Sequence, residues 1–202
     1  MQERGDIRMT ALPQTLALLA DETLYARAKG GDMRSFDALY ARYEACLFGF
    51  IISQVRDRAD AEDLFHQAFV NALKAPVVRF EGGGGFRAWI YRIARNLVIS
   101  RARRSQRGAR ALAEVARSPE VHGPRSPRAS DEALADEELR VALEAAVARL
   151  PPTLSEVFHL RVSGLRYEEI ADVLECPVGT IKSRMNQMVT QLREELRPWT
   201  VG

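Results

Sequence analysis

Residues 166–196 read RYEEIADVLECPVGTIKSRMNQMVTQLREEL. Ile170, Ala171 and Leu174 recur at helical spacing. Beyond a short break at Glu175-Cys176-Pro177, so do Val178, Ile181, Met185, Met188, Val189 and Leu192. Proline suits the first turn of a new helix, because the N–H it lacks has no partner there anyway. Two helices joined by so short a turn form a helix-turn-helix, whose second helix fits a major groove. With the apolar stripe set aside, Thr180, Lys182, Ser183, Arg184, Asn186 and Gln187 remain. These are donors and acceptors suited to base edges and phosphates. Gly179 lets the backbone approach a phosphate closely. Met185 and Met188 are read as core.

Working outward, almost every periodic segment is helical. Residues 153–156, TLSE, fit a capping box for a helix that ends near Gly164, and Pro151-Pro152 break the helix before it. That helix starts at Ser130-Asp131-Glu132 and has Leu139, Leu143, Ala146, Val147 and Leu150 on its inner face. Residues 105–130 combine Arg, Ser, Gly and Ala with Pro119, Pro124 and Pro127 and have no packing stripe, so they read as a flexible linker. Upstream, FRAWIYRIARNLVISRARR at 86–104 and DAEDLFHQAFVNAL at 60–73 are helices, the second closed by Pro76. A longer helix covers 33–55, with a short one at 22–29 before Gly30-Gly31. The expectation is an all-α chain. A mobile arm (1–19) precedes a helical domain (20–104), a basic linker (105–130) and a domain with the helix-turn-helix (131–202).

Composition narrows the function. The formal net charge is only +2, but all except Lys29, Lys74 and Lys182 of the 29 basic residues are arginine. The arginines crowd between Tyr91 and Arg128, where Glu114 and Glu120 are the acidic residues. In the helix at 86–104, Trp89, Ile90, Ile93, Ala94, Leu97 and Val98 form the stripe. Arg87, Arg92, Arg95, Asn96, Arg101, Arg103 and Arg104 fall mostly elsewhere, without acidic residues one turn away. Such a face suits phosphates and unpaired bases. No apolar run approaches the ~20 residues of a membrane span, and the N-terminal stretch lacks a signal-peptide pattern, so a cytoplasmic protein is expected. Cys46 and Cys176 form no CxxC pair and are expected in a helical core. Enzyme readings find little support. The Gly82–Gly85 run lacks the Lys-Ser/Thr of a P-loop, and His66, His122 and His159 show no metal-ligand spacing. No catalytic residue, metal or cofactor is expected. His66 is read as a helix-surface residue and His159 as partly buried.

Together with FDALYARY at 36–43 and LPPTLSEVFHLRVSGLRYEEIADVLECPVGTIKSRM at 150–185, these strings resemble the extracytoplasmic-function group of bacterial sigma factors. The resemblance implies a transcription initiation factor that binds core RNA polymerase and opens promoter DNA. It assigns Asp60, Glu62, Asp63, Gln67 and Asn71 to the polymerase. It assigns the loop at 77–85, with Val77, Val78, Arg79 and Phe80, to base capture at the −10 element, and Arg92, Arg95 and Asn96 to the strands there. The helix-turn-helix, through Lys182, Ser183 and Arg184, would read the −35 element. An anti-sigma protein is the implied inhibitor. The chain departs from the family pattern at Ser100, at Arg166, at Asn186 and Gln187, and in its glycine run at 82–85. A dimeric helix-turn-helix repressor, binding DNA without polymerase, is the alternative reading.

Overall fold

The computed structural model describes residues 14–76, Phe80, 84–112 and 131–199, and among these every regular element is helical. The first unit contains α1 (Gln14–Ala17), α2 (Asp21–Lys29), α3 (Met33–Val55), α4 (Arg58–Lys74) and α5 (Gly85–Leu112). The second contains α6 (Asp131–Arg149), α7 (Pro152–Val162), α8 (Tyr167–Leu174), α9 (Val178–Glu195) and a 3-10 turn at Arg197–Trp199.

Local chemistry sets the boundaries. Gly31, with φ +96°, turns the chain after α2. The Asp32 carboxylate then accepts the N–H groups of Arg34 and Ser35 at 3.1 and 3.3 Å and starts α3. Asp57 caps α4 by accepting from the N–H of Asp60 at 2.8 Å, so this helix begins slightly before the acidic cluster that announced it. The expected capping box at residues 153–156 does not form. With Pro151 as N-cap, α7 begins at Pro152, which is pre-shaped for a first turn. The Glu156 side chain is left to reach elsewhere.

In the first unit, Leu39, Tyr43, Leu47, Phe50 and Ile51 of α3 pack on Phe65, Ala68 and Phe69 of α4 and on Phe86, Ile90 and Ala94 of α5. In the second, Leu154, Val157 and Leu160 of α7 meet Ile170 and Val173 of α8 and Ile181, Met185 and Met188 of α9. Leu139, expected on the inner face of α6, is 42% exposed; Leu143, Ala146, Val147 and Leu150 make the contact instead. Residues 14–19, read as the end of an arm, carry α1. The Arg42 guanidinium ties them down by donating to the carbonyls of Ala17 at 2.8 Å and Leu19 at 3.0 Å.

Two features differ from the sequence expectation. First, α5 runs on to Leu112, into the segment read as linker, because its Arg, Ala, Gln and Leu residues are good helix formers. The rest of that linker, with the arm at residues 1–13, lies outside the described residues. Second, the two units share one contiguous apolar cluster: α5 packs on α8 about as extensively as on α4, and α3 touches α7. The cause lies in α5, which is buried on two sides. At 3.6 residues per turn, Ala88 and Tyr91 point away from the Phe86–Ile93–Leu97 stripe, yet Ala88 is 5% and Tyr91 1% exposed.

Candidate nucleic-acid and polymerase interfaces

The α8–α9 pair is built for presentation of α9. The backbone turns at Glu175, in the left-handed region at φ 52°, and α9 starts after Pro177. At the N-terminus of α8 the buried Glu169 carboxylate accepts from the Arg166 N–H at 2.7 Å. An arginine side chain cannot return an acceptor, so only this half of a capping box exists. Ile181, Met185 and Met188 are buried, while Lys182, Ser183, Asn186 and Gln187 are exposed and Thr180 and Arg184 half-buried. The six residues singled out from sequence therefore share the outward part of α9. A Cβ on Gly179 would meet nothing, so no packing demands glycine there and the approach to the first turn of α9 is open.

The residues assigned to melting are not brought together. Arg92 and Arg95 are half-buried on the side of α5 that faces α7 and α8. Arg95 donates from Nε and Nη2 to the two oxygens of Glu156, at 2.6 and 3.4 Å. Arg92 lies 3.9 Å from Glu175. Asn96 is exposed on another side, lining with Asn71, Trp89 and Ser100 a shallow recess of about 370 Å³. Phe80 belongs to an aromatic group, its ring centroid 5.7 Å from Tyr25, 5.9 Å from Phe86 and 5.6 Å from Trp89. Val77, Val78 and Arg79 lie outside the described residues.

Of the five residues assigned to polymerase, Asp60, Asp63, Gln67 and Asn71 line one recess beside α5, while Glu62 lies off it on α4 and pairs with Arg58 at 2.9 Å. Glu62, Asp63 and Gln67 are exposed, Asp60 and Asn71 half-buried. Gln67 donates from Nε2 to Asn71 Oδ1 at 2.7 Å. Asp60 is bound by Arg101 of α5, whose Nε lies 3.1 Å from Oδ2. Arg101 and Arg104 thus line the α4–α5 recess beside the acidic residues. Sequence reasoning placed both arginines with the nucleic acid; their position one helix over is a tertiary fact.

Cys46, expected in the core, is exposed, because it sits off the Tyr43–Leu47–Phe50 stripe of α3; Cys176 is half-buried. His66 is on the surface, its Nε2 2.9 Å from the Tyr40 hydroxyl, and His159 is half-buried. Among the described residues no three His, Cys, Asp or Glu side chains cluster as metal ligands, and no helix is long and apolar enough to cross a membrane.

Comparison with known proteins gives these surfaces a context. Residues 39–108 match sigma-70 region 2, and residues 140–192 match sigma-70 region 4. The chain is 31% identical over 183 residues to the RNA polymerase sigma-H factor of Pseudomonas aeruginosa, covering 88% of this chain and 94% of that one. It is 30% identical to the ECF RNA polymerase sigma-E factor of Haemophilus influenzae, covering 89% and 97%. Among solved structures, CnrH in complex with the cytosolic domain of CnrY matches with a TM-score of 0.57 and 25% identity, over 89% of this chain and 99% of that one. The sigma factor RpoE of Bartonella quintana, in complex with the anti-sigma factor NepR, matches with 0.59 and 25%, over 81% and 98%. The repressor alternative is set aside by these matches. With both sigma-70 regions present in order, and with relatives at this identity over nearly their whole lengths, the chain belongs to the extracytoplasmic-function group of RNA polymerase sigma factors, which are promoter-specificity subunits and not enzymes.

Proposed function

We propose that residues 20–104 bind core polymerase and melt the −10 element, and that residues 131–202 read the −35 element. The reading is supported by one observation above all: the segments matching regions 2 and 4 each carry a polar face of different chemistry. The outward side of α9 offers Lys182, Ser183, Asn186 and Gln187, a mixed donor and acceptor set suited to base edges. The side of α5 offers arginines spaced about one turn apart, suited to a strand's phosphates. The outward residues of α4, acidic and amide-rich at Asp60, Glu62, Asp63, Gln67 and Asn71, dock on the polymerase. The loop at 77–85, with Phe80, accepts an extruded base, and Asn96 joins Arg92 and Arg95 in holding the strands. Extrusion costs a few kcal/mol of stacking, which several such contacts share. The place of action is the cytoplasm, and a protein inhibitor of the anti-sigma kind controls the chain.

The test is promoter opening by reconstituted holoenzyme. Replacing Arg92 and Arg95 by Ala is expected to abolish permanganate-reactive thymines at the −10 element while co-elution with core polymerase persists. Loss of both properties together would refute the division of labour between α4 and α5.

A further inference from the structure

Two carboxamides stand side by side on the outward part of α9, and neither is used by the fold. Asn186 and Gln187 are exposed and make no hydrogen bond within the described residues. The amides of α4 behave differently. There Gln67 donates to Asn71, one turn further on, at 2.7 Å, so each has spent one end of its amide. On α9 the residues one turn beyond are Thr190 and Gln191, and no such pairing forms with them. Both Asn186 and Gln187 therefore keep a donor and an acceptor in one plane. The surroundings do not favour a phosphate at this height. Between Arg184 and Arg193 the helix has no basic residue. The two amides open onto a broad concavity of about 790 Å³, which ends at Glu194, Glu195 and Pro198 and has no Lys or Arg in its lining.

We propose that Asn186 and Gln187 read adenine, and that the −35 element selected by this chain carries adenine where the third turn of α9 faces it. This rests on the reading of α9 as the helix that enters the −35 element. In the major groove adenine presents a donor, N6–H, beside an acceptor, N7. A free amide matches both: its oxygen accepts from N6–H while its N–H donates to N7. Guanine presents two acceptors, O6 and N7, so the amide oxygen would face another oxygen. Cytosine and thymine each satisfy one end of the amide and leave the other unpaired. The place along the DNA follows from helix geometry. Asn186 and Gln187 lie one turn beyond Lys182 and Ser183, about 6 Å along the axis, which is roughly two base-pair steps. The basic side chains at the start of α9 thus meet phosphate or guanine, and the amides select adenine further along.

The experiment uses holoenzyme reconstituted from the full chain and core polymerase. Transcripts are counted from a promoter library randomised at the −35 element. The native chain is expected to enrich adenine at one or two positions. Asn186→Ala and Gln187→Ala are each expected to lower output from the adenine template about tenfold and to relax that position alone. Asn186→Arg and Gln187→Arg are expected to exchange adenine for guanine there, because a guanidinium donates to both O6 and N7. This gain separates base reading from damage to the fold, whose contacts on α9 come from Ile181, Met185 and Met188. On a single promoter, 7-deazaadenine, which lacks the N7 acceptor, is expected to weaken the native holoenzyme and to leave the matching alanine variant unaffected. An equal loss on every template, enrichment of another base at these positions, or indifference of the native chain to 7-deazaadenine overturns the adenine reading and leaves α9 on the −35 element. A native holoenzyme indifferent to the whole −35 sequence overturns the placement of α9 itself, and the adenine reading with it.

Discussion

At the scale of single residues, the outward side of α9 makes the sharpest claim. Lys182 is exposed and free to reach a base edge, and Arg184 is half-buried. If both contact bases, Lys182→Ala and Arg184→Ala each remove about 1–3 kcal/mol of discrimination at one −35 position. Transcription from promoters randomised at that element measures this directly. An equal loss on every sequence would mean that the side chains touch phosphate alone. A second residue carries a pH signature. Burial holds the His159 imidazole below its ordinary value of 6.5. The unfolded chain then binds the proton first as pH falls, so the stability of the neutral form is complete above 6.5 and declines below it. Urea midpoints are expected to drop more steeply on acidification for the native chain than for His159→Gln. Parallel pH profiles would show that the ring is hydrated in both states.

At the scale of elements, the start of α5 explains the glycine run at 82–85, where the chain departs from the family pattern. Gly85 has φ +54°, and a Cβ there would stand 2.3 Å from Glu22 Oε1. That carboxylate reaches from α2 to accept the Phe86 N–H at 2.9 Å, an N-terminal cap supplied by a distant helix. The last glycines of the run are thus demanded by packing and by backbone geometry. Glu22→Ala is expected to cost about 1 kcal/mol in thermal unfolding. Glu22→Gln, which keeps an acceptor, should cost less, and Gly85→Ala should match or exceed the alanine variant through its left-handed backbone. An unchanged midpoint for Glu22→Ala would remove the cap from the account. This element also marks the limit of what sequence periodicity tells. Helices α3, α4, α8 and α9 have one apolar stripe each and were legible, as was the outward set on α9. Helix α5 was half legible. Its stripe through Ile90 and Ile93 is plain, but Tyr91 and Ala88 sit among arginines, and nothing local says that a tyrosine there is covered. Whether Glu156 caps α7 or crosses to Arg95 likewise depends on a partner 61 positions away.

At the scale of the whole molecule, Tyr91 joins the two units and measures the balance between them. Its ring packs at 5.5 Å from Phe50 and 6.5 Å from Tyr43 inside the first unit, while its hydroxyl lies at the seam with the second. Burial drives the phenol well above its ordinary value, so it stays protonated, and its hydroxyl is enclosed beside Ser163 without making a hydrogen bond. An unpaired buried donor costs about 1–3 kcal/mol, whereas a phenylalanine of the same shape carries no such penalty. Each unit is small, with a core that gains from the shared cluster, so relief at the seam should raise the stability of both. Tyr91→Phe is therefore expected to raise the calorimetric midpoint. A lower midpoint would mean that the hydroxyl finds Ser163 in solution, so that the seam is already satisfied.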